Sequence, residues 1–102
     1  MAITRGDIPK KITKTLAFTG CAEKFELKVS YHNFTAKQLA EHAASGDKNN
    51  AEMLMHMIAD WDAGYPLSLE GIEALEEERP GTHQGLFDGF FLARQYALEK
   101  NS

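Results

Sequence analysis

The sequence predicts an α+β fold: an N-terminal β-hairpin followed by about four α-helices, mostly helical and forming a single domain. Three observations carry this reading. Apolar residues alternate with period two from Phe25 to Tyr31, as in a half-buried strand. Helix-start signals recur from Thr35 onward. The chain is 102 residues long, which is the size of one domain with one modest core.

Composition narrows the function classes. Hydrophobic residues make up 43% and charged residues 25% of the chain, which is ordinary for a globular domain. The net charge is −4. Residues 1–28 carry six Lys/Arg against three acids, net +3, and residues 29–102 carry five against twelve, net −7. An acidic helical body offers no clustered cations for phosphates, so no nucleic-acid partner is expected. Cys21 is the single cysteine and cannot form an internal disulfide, which fits a reducing cytoplasm. The leader MAITRGDIPKK has no apolar core of a signal peptide. Apolar runs fall short of the ~20 residues of a membrane span, so no membrane partner is expected.

The elements follow in order. Residues 1–10 form a loose leader ending in Ile8-Pro9. The domain is expected over 11–102, with the hairpin at 11–33 and helices from 35 to 100. The run KITKTLAFT, Lys11 to Thr19, is the first strand, and Gly20, Cys21, Ala22 and Glu23 form a four-residue loop. In the second strand Phe25, Leu27, Val29 and Tyr31 share one side, and Glu26, Lys28 and Ser30 the other. Thr35 and Gln38 have the spacing of a capping box for a helix running to about Ser45, with Gly46 as its stop. Asp47 caps the next helix, about Lys48 to Ala63, whose apolar arc is Met53, Leu54, Met57, Ile58 and Trp61. Ser68 caps a third helix to about Arg79, with a narrow apolar face of Leu69, Ile72 and Leu75 and glutamates, including Glu76, on the solvent side. Pro80-Gly81 breaks it, and the last helix runs from Thr82 to about Lys100.

A search for chemistry finds none. His32, His42, His56 and His83 show no metal-ligand spacing, and no Cys-x-x-Cys or His-Glu-x-x-His is present. Each histidine reads as a surface or capping residue. Cys21 lacks the electropositive setting of a reactive thiolate, since Lys24 alone flanks it. Gly81, Gly85 and Gly89 do not form a phosphate cradle. Asp60 and Asp62 would point apart on a helix and could not act as an acid–base pair. No catalytic residue, metal or cofactor is expected, and the protein is read as a non-enzyme.

What remains is apolar surface. On the last helix, Leu86, Phe87, Phe90, Phe91, Ala97 and Leu98 occupy one broad sector, with Leu92 and Tyr96 outside it. Only Asp88, Gln95 and Glu99 mark a polar sector. Gly85 and Gly89 share a face where another helix could approach closely. A small domain has few places to bury such a helix, so either the hairpin and helices cover it within one chain or part of it lies at a subunit or partner interface. Met53 and Met57 add an adaptable surface suited to helical partners. The candidate binding or oligomer-interface residues are Met53, Met57, Trp61, Phe87, Phe90 and Phe91.

The second half of the chain resembles the small tail assembly chaperones of long-tailed bacteriophages. The matching features are Ile58-Ala-Asp-Trp61-Asp as a helix end and Tyr65-Pro-Leu-Ser68 as the turn that starts the next helix. Ile72, Glu73, Ala74 and Leu75 follow, ahead of Arg79-Pro80-Gly81, and the final helix runs from Leu86 to Lys100. The resemblance covers about residues 20–101 in element order and about 50–101 in motif. It implies a protein of the bacterial host cytoplasm, made by a phage or prophage and missing from the mature virion. Such a protein coats the tape measure protein, helps recruit tail tube subunits, and is expected to form a homo-oligomer. The family supplies no catalytic residues. The basic leader and His83 have no counterpart in its pattern.

The alternative is a small regulatory or adaptor protein, antitoxin-like or a transcription accessory, acting through an apolar helical interface. A DNA-reading version would need a basic helix after a short turn. The helix after Gly81 is aromatic instead. A structural tail component is a third class, which would be found in purified particles.

Overall fold

A computed structural model describes residues 3, 5, 6, 8–44, 46 and 49–98. The elements are β1 (Lys11–Gly20), β2 (Glu23–His32), α1 (Ala36–Ala44), α2 (Asn50–Met57), β3 (Ile58–Trp61), α3 (Leu69–Glu78) and α4 (Thr82–Arg94). The expected hairpin and four helices are present. They pack as two layers, with an antiparallel sheet of order β1-β2-β3 and the helices against one face.

The hairpin is tighter than expected. The strands stay paired from Lys11↔His32 to Gly20↔Glu23, leaving Cys21 and Ala22 as a two-residue turn. Both turn residues have left-handed backbones, φ 49° and 60°. That is the primed turn whose twist matches the strands it joins. The period-two pattern sorts the faces as read: Leu16, Leu27, Val29 and Tyr31 are buried, and Thr13, Thr15, Ala17 and Thr19 are exposed.

Thr35 and Gln38 form the reciprocal capping box. The Thr35 N–H donates to Gln38 Oε1 (2.8 Å), and the Gln38 N–H donates to Thr35 Oγ1 (3.1 Å). The expected cap Asp47 and the expected helix end at Ser45 lie outside the described residues. The N-cap of α2 is Asn49, whose Oδ1 accepts the Glu52 N–H at 2.8 Å while Glu52 reaches back to the Asn49 N–H. Ser68 caps α3 by accepting the Gly71 N–H at 3.1 Å.

The largest departure is β3. The expected helix to Ala63 stops at Met57, and Ile58–Trp61 becomes a third strand. Val29 pairs with Trp61, Ser30 with Asp60 and Tyr31 with Ile58, with a register shift between Ser30 and Tyr31. The cause is tertiary: β2 presents a second row of backbone groups that need partners, and buried Ile58 fills the sheet face. The helical geometry that separated Asp60 from Asp62 therefore does not apply. Their carboxylates serve the backbone instead: Asp60 Oδ1 accepts the Trp61 N–H (2.9 Å), and Asp62 Oδ1 accepts the Lys28 N–H (2.8 Å).

The core joins Leu16, Leu27, Val29 and Tyr31 of the sheet to Leu54, Met57, Ile72, Leu75, Leu86 and Phe90 of the helices. Leu69, expected on the buried face of α3, is 43% exposed.

Candidate protein-binding surface

Helix α4 organises the surface, and its start is fixed from outside. Gly81 is its N-cap and contributes no side-chain bond. Glu76 of α3 supplies the missing acceptor. One carboxylate takes the N–H of Gly81 (3.0 Å), the N–H of His83 (2.8 Å) and the Thr82 hydroxyl (3.4 Å). Burial alone would raise the Glu76 pKa. The His83 and Gly81 N–H groups outweigh it and hold the carboxyl below the ordinary glutamate value. Glu76 was expected on a solvated face; it is instead an anion at a helix N-terminus. His83 Nε2 lies 3.1 Å from Ile72 O, which ties the same helix start to α3.

One face of α4 is sealed by the sheet. Tyr31 Oη donates to Leu86 O at 2.7 Å, and burial pushes the Tyr31 hydroxyl pKa upward. Tyr31 and Phe90 meet edge to face with ring centroids 5.5 Å apart. A Cβ on Gly85 would lie 2.3 Å from the Phe18 ring, and one on Gly89 would lie 2.6 Å from Leu16 Cδ2. These glycines do admit a close neighbour, but it is strand β1, where a helix was expected.

Of the exposed apolar residues, Phe91 lies off the covered face, while Leu92 follows Gly85 and Gly89 one turn on, along the side that flanks β1. Phe91 is 55% and Leu92 56% exposed, and Tyr96 and Leu98 follow, also exposed, beyond the end of the helix. Helix α4 ends at Arg94, short of the expected Lys100; Glu99 to Ser102 lie outside the described residues. Arg94 Nε donates to Asn33 Oδ1 (2.7 Å), and Asn33 Nδ2 donates to Pro9 O (2.8 Å), so the helix end is stitched to the start of the hairpin.

The candidate residues therefore divide. Met57 (1% exposed) and Phe90 (0%) belong to the core, Phe90 against Tyr31 of the sheet; they are not surface contacts. Met53 is half-buried. Trp61 and Phe87 are partly buried against the core, and Trp61 Nε1 donates to Tyr65 O at 3.0 Å. Only Phe91 among the six is openly exposed. Leu92, next to it in sequence and also exposed, was not among the candidates; its place in the apolar run near the helix end was the available signal.

A second cluster closes the hairpin tip onto α3. Arg79 Nε donates to Glu23 (2.8 Å), and Arg79 Nη1 donates to Tyr65 Oη (2.5 Å). The guanidinium also sits 5.6 Å from the centre of the Phe25 ring. Tyr65 Oη donates to Glu78. The bond from Arg79 lowers the Glu23 pKa, and the bond to Glu78 raises that of Tyr65. Each of these groups has a partner, so the cluster reads as a clasp. No local pattern signals it, because Glu23 on β2 and Arg79 at the end of α3 lie far apart in the chain. His42 and His56 stack with ring centroids 3.6 Å apart, another pairing invisible in their spacing.

Among the described residues, no group of three or more His, Cys, Asp and Glu could hold a metal ion. No helix among them is long and apolar enough to cross a membrane. No family model, curated protein or solved structure matches the chain.

Proposed function

We propose that the protein is a non-enzymatic tail assembly chaperone of a phage or prophage, acting in the host cytoplasm and absent from the finished particle. It binds the tape measure protein, keeps it soluble, and helps recruit tail tube subunits. The observation that carries the reading is the apolar end of α4: Phe91 and Leu92 are both more than half exposed, on two sides of a helix whose sheet-facing side is already packed. Apolar residues placed this way offer contact area to an amphipathic helix without loosening the fold. The resemblance of the segment from Ile58 to Asn101 to the tail chaperone pattern gives that partner its identity. The Ile58–Asp62 element, expected as a helix end, is instead strand β3 and its exit, so the likeness rests on the segment from Tyr65 onward.

The test is co-expression with a tape measure protein. The expected result is a soluble complex that stays together on a sizing column. Phe91→Asp combined with Leu92→Asp should abolish the complex while leaving a folded protein. Clean separation of the unmodified proteins would sink the reading.

A further inference from the structure

We propose that the outer edge of β1, together with the groove between it and α4, accepts an extended segment of another protein as a fourth strand, and that this segment carries carboxylates. The proposal holds whether or not the protein is a tail chaperone, because it rests on the sheet alone.

The backbone comes first. Among the described residues β1 pairs with β2 only, so its other edge has no strand partner. Which residues face that edge follows from the register. Lys28 points away from β1: its C=O accepts from the Asp62 N–H (3.2 Å), and its N–H donates to Asp62 Oδ1 (2.8 Å). Thr15, opposite Lys28, is therefore in a non-hydrogen-bonded pair and aims its own N–H and C=O outward. Alternation puts Lys11, Thr13, Ala17 and Thr19 in the same state. The hydroxyls of Thr13 and Ser30 lie 2.9 Å apart, as the close approach of such a pair requires. The result is a ten-residue edge presenting a regular row of donors and acceptors. Short edges, prolines and bulges are the usual guards against strand addition. Strand β1 has no proline, and its pairing with β2 shows no register shift.

Beside this edge runs a groove of about 470 Å³ between β1 and α4. Leu16 and Phe18, packed close over Gly89 and Gly85, form its floor, and Leu92 gives it an apolar wall. An added strand would point every second side chain into this space and the others along the row of Thr13, Thr15, Ala17 and Thr19.

Charge selects the occupant. Strand β1 contains Lys11 and Lys14 and no acid, and Lys14 lines the groove. Two copies of β1 laid edge to edge would bring four lysines together, which disfavours self-pairing. A strand from another protein with carboxylates near Lys11 and Lys14 meets the opposite condition. Asp88, also in the groove wall, accepts from Gln84 Nε2 (2.9 Å) but keeps its charge, so the occupant's carboxylates belong at the Lys11–Lys14 end of the strand, away from it.

The probe is a capped eight-residue peptide of alternating threonine and valine with glutamate at both ends, added to the full chain. The expected result is slowed amide exchange at Thr13, Thr15 and Ala17 and chemical-shift changes at Gly85, Gly89 and Leu92. The same peptide with terminal lysines should bind at least about tenfold more weakly. Thr15→Pro removes an outward N–H that no internal bond uses, and should weaken binding at least about tenfold. If that variant fails to fold, a peptide N-methylated on its edge-facing amides makes the same test on the unmodified protein. Equal binding of the lysine and glutamate peptides, binding indifferent to both backbone changes, or shifts confined to other regions would overturn the proposal. So would protection of Thr13, Thr15 and Ala17 that grows with protein concentration alone, since that would make the occupant a second copy.

Discussion

The two faces of α4 carry similar residues to opposite ends. Phe90 and Phe91 are neighbours in sequence and touch ring to ring, with centroids 5.2 Å apart. Phe90 is fully buried beneath the sheet, and Phe91 is 55% exposed. The helix is apolar over more of its circumference than the sheet can cover. The glycines decide which part is covered, because β1 can approach only where Gly85 and Gly89 leave room. The difference teaches that apolar content does not say which residues are core; the covered side is set by the close-packing positions.

Replacing Phe90 by Ala tests the contrast most severely. It should cost about 3–5 kcal/mol of stability, measured by urea unfolding, because it leaves a cavity under Tyr31. Phe91→Ala should cost no more than about 0.5 kcal/mol in the same measurement. Equal losses at the two positions would erase the distinction.

Gly89→Ala comes next. Its Cβ would lie 2.6 Å from Leu16 Cδ2 and 2.8 Å from Tyr31 Oη. Overpacking of about 1–3 kcal/mol should exceed the gain of about 1 kcal/mol in helix propensity, so unfolding should show a net loss. A net gain would mean that β1 yields, and that the closure over this face is loose.

Glu76→Gln probes how the helix is held while its two faces stay unchanged, and should cost about 1 kcal/mol at neutral pH. The Glu76 pKa is lowered in the folded protein from an ordinary value of 4.5, so its contribution is fully present above that value. It is lost as pH falls through the folded-state pKa. The stability gap between wild type and variant should therefore close in acid; a gap constant with pH would show that the carboxylate charge is not what anchors α4.

The smallest stability effect is expected for Phe91→Asp with Leu92→Asp, within about 0.5 kcal/mol, alongside loss of partner binding. A folded double variant that still holds the tape measure protein would leave the exposed face without a role.

Much of this arrangement was legible in the chain. The Phe25–Tyr31 alternation fixed the strand and its buried side, and Thr35, Gln38 and Ser68 marked helix starts that the structure keeps. These signals are local, so no distant residue could override them. Strand β3 was not legible, because Met53, Leu54, Met57, Ile58 and Trp61 also fit a helical arc. Only the backbone of β2, remote in sequence, makes extension the better choice. The last helix was read too long because Gln95–Leu98 can be helical, yet among the described residues beyond Arg94 Tyr96 and Leu98 are almost fully exposed and give a further turn nothing to pack on. At the candidate surface the reading found an apolar helix but could not sort Phe90 from Phe91. That choice depends on β1, which lies far upstream. Glu76 was missed for a similar reason: it caps a helix other than its own.

The hairpin tip has a consequence for how the chain assembles. Cys21 and Ala22 hold φ of 49° and 60°, where residues with a Cβ sit at a cost of roughly 1–2 kcal/mol each. A bend that resists its own geometry is a poor nucleus. The ribbon should zip from its open end, where Pro9 and Asn33 already meet, and the tip should close last, with Arg79 latching onto Glu23 as it does.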